Sequence, residues 1–243
     1  MVNVINRRER KAEAAAVTTG CILVAAGRGD RLGPGAPKAL RRLGGQPLVV
    51  HAARAALESG VVDLLMVAAP GDLLNEVESE VHLLGARVLI VPGGATRRES
   101  VAAALTTLPA NVDVVLVHDA ARCLAPPQLF ASVAAAVVGG ADAVVPVLAV
   151  ADTVKEVSGD LVVRTLDRSA LRAVQTPQGF RRDVLVRAHT AVGEDVTDDA
   201  GLVERVGGTV RVVPGHEDAF KVTRPLDILL AEAVVARRTD GVA

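Results

Sequence analysis

Short runs of Val, Ile and Leu alternate with longer Ala- and Leu-rich segments through the first 150 residues. This alternation constrains the fold more than any single motif, because it is the pattern of parallel strands joined by crossover helices. The first run is Cys21–Ala25, followed at once by Gly27 and Gly29. A helix opens near Pro47, which suits a first helical turn, and closes before Gly60. Asp63–Ala69 reads as a strand ended by Pro70-Gly71, Leu73–Leu84 as a helix stopped by Gly85, and Arg87–Val91 as a strand meeting Gly93-Gly94. A helix near Arg98–Leu108, a strand Val112–Val117, a helix opened by Pro126-Pro127 and a strand Ala143–Val147 continue the series. Continuously apolar strands imply a sheet covered on both faces.

After Val150 the rhythm breaks. Residues 151–170 hold two β-like runs, Thr153–Val157 and Leu161–Leu166, around Ser158-Gly159-Asp160. That is a hairpin arm inserted into the α/β body, too small to be stable unless it lies on something else, such as a partner chain. The expected organisation is one domain over residues 20–236 including the arm. A flexible, basic N-terminal extension (1–19, with Arg7, Arg8, Arg10 and Lys11) precedes it and a short tail (237–243) follows.

Composition narrows the function. Half of the 243 residues are hydrophobic, enough for a large core and too many for a disordered chain. The 27 basic and 28 acidic residues leave a net charge of −1, which lacks the electrostatic footprint of a nucleic-acid binder. The aromatics are Phe130, Phe180 and Phe220, with no Tyr or Trp, so stacking platforms for single strands are missing too. The longest apolar stretch, Ala134–Ala151, is interrupted by Gly139-Gly140, Asp142 and Pro146, and is no membrane span. Two cysteines, Cys21 and Cys123, make no disulfide framework, and a cytoplasmic location is expected. The five histidines lack metal-ligand spacing.

The chemistry concentrates where strands end. Residues 25–38 read Ala-Ala-Gly-Arg-Gly-Asp-Arg-Leu-Gly-Pro-Gly-Ala-Pro-Lys. Gly27, Gly29 and Gly33 are spaced one residue too widely for a dinucleotide fingerprint, and Pro34 and Pro37 disfavour an immediate helix. No G-x-x-x-x-G-K-S/T occurs either, so this is not a P-loop. What remains is a small-residue loop carrying Arg28, Arg31 and Lys38, suited to a triphosphate, whose roughly four negative charges call for several cations and Mg²⁺. At the third strand end, Gly93-Gly94 permit close approach to a nucleotide, and the helix start after them offers N–H groups. Ser100 there suits either a nucleotide contact or an ordinary helix start. At the fourth, His118-Asp119-Ala120-Ala121-Arg122 sits at the edge where open α/β sheets bind ligands. Asp119 can hold a metal–phosphate complex, a sugar hydroxyl, or simply an arginine. Lys221 by position alone reads as an exposed strand lysine just before a helix opened by Pro225, and Arg168 as a surface charge on the arm.

Taken together, these loops resemble one family. Ala25-Ala26-Gly27-x-Gly29-x-Arg31…Pro37-Lys38, Gly93-Gly94…Ser100 and His118-Asp119-Ala120-Ala121-Arg122 are similar to the cytidylyltransferases that act on 2-C-methyl-D-erythritol 4-phosphate. So are Asp152-Thr153-Val154-Lys155, Asp167-Arg168, Gln175-Thr176-Pro177-Gln178, Thr197-Asp198-Asp199-Ala200 and Lys221-Val222-Thr223-Arg224-Pro225. The resemblance implies a Rossmann-like nucleotidyltransferase fold with a protruding arm, and a Mg²⁺-dependent enzyme of the non-mevalonate route to isoprenoids. It would transfer CMP from CTP to the phosphate of a polyol phosphate and release pyrophosphate. Arg31 and Lys38 match residues that stabilise the transition state; Arg168 and Lys221 match residues that position the acceptor phosphate. Ala25, Ala26, Gly27, Gly94 and Ser100 match nucleotide-holding positions, bordered by Asp119 and Ala120. Asp119 also falls among the substrate-pocket positions, with Arg122, Thr153, Thr176 and Thr197. The arm matches one that embraces a second subunit in a homodimer, where its threonine and arginine serve the neighbour's site. No residue is implied as a metal ligand. Ala95 stands where many members have Asp, Cys123 where Pro is frequent and Gly201 where Ser is common.

The chain offers no nucleophile–base pair, and this chemistry needs none. A phosphate monoester has a second pKa of about 6 and is already a nucleophilic dianion at neutral pH. Positioning and charge stabilisation are left to supply the catalysis. The rivals are a cytidylyltransferase acting on ribitol 5-phosphate, which the first loop does not distinguish, and a non-catalytic nucleotide sensor on the same fold. Arg31 and Lys38 argue against the sensor, because a sensor need not keep transition-state cations, and a dehydrogenase is disfavoured by the loop spacing.

Overall fold

A computed structural model describes residues 17–85, 88–191, 193 and 196–239. The basic residues expected in the N-terminal extension, Arg7 to Lys11, and residues 240–243 of the expected tail lie outside the described residues. Strand β1 (Thr19–Val24) leads through two 3-10 turns (Asp30–Leu32 and Lys38–Leu40) and a short ribbon of β2 (Arg42–Leu43) and β3 (Gln46–Pro47) into α1 (Leu48–Glu58). The alternation continues with β4 (Leu64–Ala69), α2 (Leu74–His82), β5 (Val88–Pro92), α3 (Arg97–Thr107), β6 (Val114–Asp119), α4 (Pro127–Val138) and β7 (Ala143–Ala149). The arm is β8 (Lys155–Ser158) and β9 (Leu161–Thr165). The chain closes with β10 (Arg172–Val174), β11 (Gln178–Arg181), α5 (Arg182–Ala191), α6 (Asp199–Arg205), β12 (Val210–Pro214) and α7 (Pro225–Thr239).

The main sheet runs β10-β7-β11-β6-β1-β4-β5, with β12 paired parallel to β7. Strands β6, β1, β4 and β5 are parallel neighbours, whereas β11 runs antiparallel between β6 and β7. Side chains alternate across each strand. In β1, Cys21 and Leu23 face one core with α1, α2, α4 and α7, and Ile22 faces another with α3, α5 and α6. Both faces are therefore covered, as the unbroken apolar runs require. The mostly parallel sheet and the separate two-stranded arm agree with the sequence reading.

Three local expectations change. Pro47 ends β3 and precedes α1 rather than occupying its first turn, because the residues before it pair in the ribbon. The second helix begins with a 3-10 turn at Gly71–Leu73 before α2 proper. Phe220–Thr223 forms no regular strand; the Val222 N–H instead donates to the Ala121 carbonyl at 2.8 Å, fastening this segment to the end of β6.

Candidate active site

The chain leaves β1 toward β4 and β5 on one side, then returns to β6 on the other. That reversal opens a crevice at the carboxyl ends of β1 and β6, where open α/β sheets take their ligands. Backbone bonds stitch its floor: Ala25 N–H to the Ala68 carbonyl at 2.8 Å, Ala120 N–H to Val24 at 3.0 Å and Gly93 N–H to Ala69 at 2.7 Å. Above it lies a cavity of about 330 Å³, within the range of small-ligand pockets. Ala25, Ala26, Gly27, Arg31, Lys38, Gly94, Ser100, Asp119, Ala120 and Lys221 all line it. These residues are separated by up to about 200 positions in sequence and meet only through the sheet.

The first loop is shaped by Gly29 and braced by Arg41. Gly29 has φ +78°, and a Cβ there would lie 2.5 Å from the Cβ of Lys38. The glycine thus lets Lys38 fold in against the loop that carries Arg31. The Arg41 guanidinium donates to the carbonyls of Ala36 and Pro34, each at 2.9 Å, and to that of Gly33. Arg31 is exposed and makes no hydrogen bond or ion pair with the described residues, which leaves its charge available to a ligand. Burial, reinforced by Lys221 and Arg31, lowers the Lys38 ammonium to about 8 although Asp119 opposes the shift. Cations packed this closely repel one another, and a polyanion between them relieves the repulsion.

The second loop is tied to itself. Gly93 allows contact with the first loop: a Cβ there would come within 2.4 Å of the Ala26 Cβ. Thr96 and Glu99 form a capping box at the start of α3, and the Glu99 carboxylate also accepts from the Ala95 N–H at 2.7 Å. The Ser100 hydroxyl accepts from the Gly94 N–H at 3.1 Å and donates to the Thr96 carbonyl at 2.9 Å. The N–H groups of residues 94, 95, 96 and 99 are thus satisfied internally. The expectation that this helix start offers free donors is not met at those four positions, because the cap consumes them.

Asp119 is the electrostatic centre. It is buried, with Oδ1 at 3.0 Å from Arg97 Nε and Oδ2 at 2.8 Å from Lys221 Nζ. Burial alone would raise its carboxyl, but Arg97 and Lys221 outweigh that and hold it well below the usual carboxylate range. Its backbone N–H donates to Thr176 Oγ1 at 3.0 Å, and the same hydroxyl meets His118 Nδ1 at 2.9 Å. His118 is fully buried against Phe130 and its imidazole is pushed down to about 4 by burial, so it is a neutral packing group.

The other named residues lie outside this cavity. Thr176 supports Asp119 from behind. Arg122 donates to the carbonyls of Ala219 at 2.8 Å and Val174 at 3.1 Å, pinning the arm's base and the approach to Lys221. Thr153 and Arg168 are exposed on the arm, where Arg168 hydrogen-bonds the Ala151 carbonyl. Thr197 is exposed just before α6. Arg97 and Arg41 carried no assigned role from sequence. A guanidine directly after Gly-Gly-Ala-Thr was a usable signal for Arg97; nothing local marked Arg41.

A family model described as 2-C-methyl-D-erythritol 4-phosphate cytidylyltransferase matches residues 19–237. A protein of that name from Streptomyces avermitilis is 56% identical over 231 residues, covering 90% of this chain and 92% of its own. Another from Saccharopolyspora erythraea is 53% identical over 220 residues, with coverages of 88% and 98%. The crystal structure of 2-C-methyl-D-erythritol 4-phosphate cytidylyltransferase from Thermus thermophilus superposes with a TM-score of 0.72 at 35% identity, over 89% of this chain and 98% of that one. The 4-diphosphocytidyl-2C-methyl-D-erythritol synthase from Anaerococcus prevotii superposes with a TM-score of 0.80 at 25% identity, over 91% and 99%.

Proposed function

The chain belongs to the 2-C-methyl-D-erythritol 4-phosphate cytidylyltransferase family, and from that premise we propose how its residues divide the work of the reaction. The reaction is the CTP-dependent synthesis of 4-diphosphocytidyl-2-C-methyl-D-erythritol in the non-mevalonate route: CMP passes to the acceptor phosphate and pyrophosphate leaves. The observation that carries the reading is the convergence of Arg31, Lys38 and Lys221 on one small-residue cavity at the sheet's switch point. An acceptor phosphate dianion attacks the α-phosphorus in line, so the barrier is anion–anion repulsion and the charge growing on the leaving pyrophosphate. Arg31 and Lys38 meet the triphosphate, and Lys221 with Arg168 meets the acceptor phosphate. Ala25, Ala26, Gly27, Gly94, Ser100 and Ala120 border the nucleotide, and Asp119, Arg122, Thr153, Thr176 and Thr197 shape the acceptor side. No side chain need take a proton.

Mg²⁺ fits this donor set in one way. Among the described residues no group of three or more His, Cys, Asp or Glu could hold a metal, and the carboxylates lining the cavity are Asp30 and Asp119. Magnesium commonly keeps several waters and binds through one or two carboxylates plus substrate phosphates. Both Asp119 oxygens already meet Arg97 and Lys221, so Asp30 is the carboxylate of this pair left to hold it, with phosphate oxygens and water as the other ligands. Bound with the nucleotide, it would neutralise part of the triphosphate charge. Pyrophosphate release from CTP should therefore stop in EDTA and return with Mg²⁺, and GTP should not replace CTP. Turnover unaffected by EDTA would remove the metal from this account; equal turnover of GTP would remove the cytidine assignment.

We also propose a homodimer in which the arm serves the neighbouring subunit. Strands β8 and β9 pair in a sheet of their own, and Val157, Leu161, Val162 and Val163 are 58–70% exposed. An apolar hairpin left this bare calls for a covering surface, and a second copy would also bring Thr153 and Arg168 to a cavity they do not reach within their own chain. Cys21 and Cys123 are buried, unpaired thiols, which supports the cytoplasmic location proposed here. No helix among the described residues is long and apolar enough to cross a membrane.

A further inference from the structure

Asp119 is held by two cations of different standing. Lys221, 2.8 Å from Oδ2, lies on a segment without regular structure and keeps 40% of its side chain exposed. Arg97, 3.0 Å from Oδ1, starts α3 and reaches onward to Asp199 Oδ2 at 2.5 Å. Asp199, on α6, is buried, and its Oδ1 lies 2.9 Å from His189 Nε2 on α5. A carboxylate only accepts, so Nε2 carries the proton. His189 Nδ1 is buried without a hydrogen-bond partner, which leaves Asp199 as the ring's directed contact among the described residues. Neither Asp199 nor His189 is among the residues lining the cavity.

We propose that Asp199 and His189 are positioning residues for the acceptor: they fix Arg97, and through it the Asp119 carboxylate that sets Lys221. The inference rests on the reading of Lys221 as the acceptor-phosphate lysine. An incoming phosphate competes with Asp119 for Lys221. As Lys221 turns to it, Asp119 becomes a buried carboxylate with one cation left, a costly state unless that cation is held in place. A guanidinium forked between two carboxylates is so held, whereas one facing Asp119 alone is free to swing toward the added phosphate charge. Asp199 supplies the second carboxylate and His189 orients it.

Asp199→Asn is expected to raise the acceptor KM about tenfold, with kcat within about threefold and the CTP KM within about twofold of wild type. His189→Ala should move the acceptor KM in the same direction, and His189→Gln, whose amide N–H can still meet Asp199, should restore it. The double variant Asp199→Asn/His189→Ala should be no worse than Asp199→Asn alone, because His189 acts through Asp199. A merely structural ion pair would instead lower the active fraction and leave the acceptor KM in place. An unchanged acceptor KM in Asp199→Asn, or acceptor and CTP KM rising together, overturns the proposal. If Asp199→Asn does not fold, equal acceptor KM values for His189→Ala and His189→Gln overturn it instead. Wild-type enzyme is the control: failure to turn over CTP with 2-C-methyl-D-erythritol 4-phosphate sinks the parent reading, whereas normal wild-type turnover with unshifted variants sinks only this relay.

Discussion

Lys38→Ala is expected to lower kcat by about two to three orders of magnitude while leaving the acceptor KM nearly unchanged. The reason is where its charge sits. Lys38 is half-buried, folded against Gly29, with Arg31 and Lys221 close enough to help lower its ammonium to about 8. In the proposed mechanism that destabilised positive charge is relieved by the triphosphate, and further as charge moves onto the departing pyrophosphate. An interaction that grows toward the transition state appears in kcat rather than in ground-state binding. Arg31→Ala should act in the same direction. Steady-state kinetics with both substrates varied decides the point, and a variant of either residue with near-normal kcat would show that its cation does not act on the leaving group.

Mixing two dead enzymes should revive one. Lys38→Ala and Arg168→Ala are each expected to be nearly inactive alone, yet co-refolded they should recover about a quarter of wild-type activity. Lys38 lines the cavity of its own chain, whereas Arg168 sits on the exposed arm outside it. If the arm completes the neighbour's site, one site of a mixed dimer collects both lesions and the other has neither. Random exchange makes about half the dimers mixed, each with one working site of two. If Arg168 serves its own chain, each site of a mixed dimer carries one lesion and nothing is regained. The readout is pyrophosphate release, alongside a measurement that mixed dimers have formed.

The parallel half of this fold was legible because its strands are buried on both faces. Cys21–Val24, Leu64–Ala69 and Val114–Val117 are unbroken apolar runs; Gly27 and Pro70 mark where the first two end, and the polar pair His118-Asp119 marks the third. The half after the arm was not organised by pattern. Strand β11 reads Gln-Gly-Phe-Arg, with one apolar side chain, and is held between β6 and β7 by backbone pairing that no periodicity announces. Strand β12 lies half-exposed beside β7 and interleaves Arg211 with valines. At the site, glycine-rich strand ends marked the loops, because close approach to a ligand demands small residues there. Long-range pairings left no such mark. Arg97 meets Asp199 across 102 positions and Arg122 meets Ala219 across 97, and local sequence carries no trace of either. Thr176 was flagged through the Gln-Thr-Pro-Gln motif, but its contact with the Asp119 backbone depends on register between β11 and β6.

Pyrophosphate release from CTP with 2-C-methyl-D-erythritol 4-phosphate and ribitol 5-phosphate as competing acceptors tests the central claim most directly. Both acceptors carry a phosphate for the contact proposed for Lys221, so the comparison isolates what the polyol side of the site recognises. The account predicts a kcat/KM for the methylerythritol phosphate at least about a hundredfold higher, with the diphosphocytidyl adduct identified by mass. Equal turnover of the two acceptors, or a preference for ribitol 5-phosphate, would contradict it.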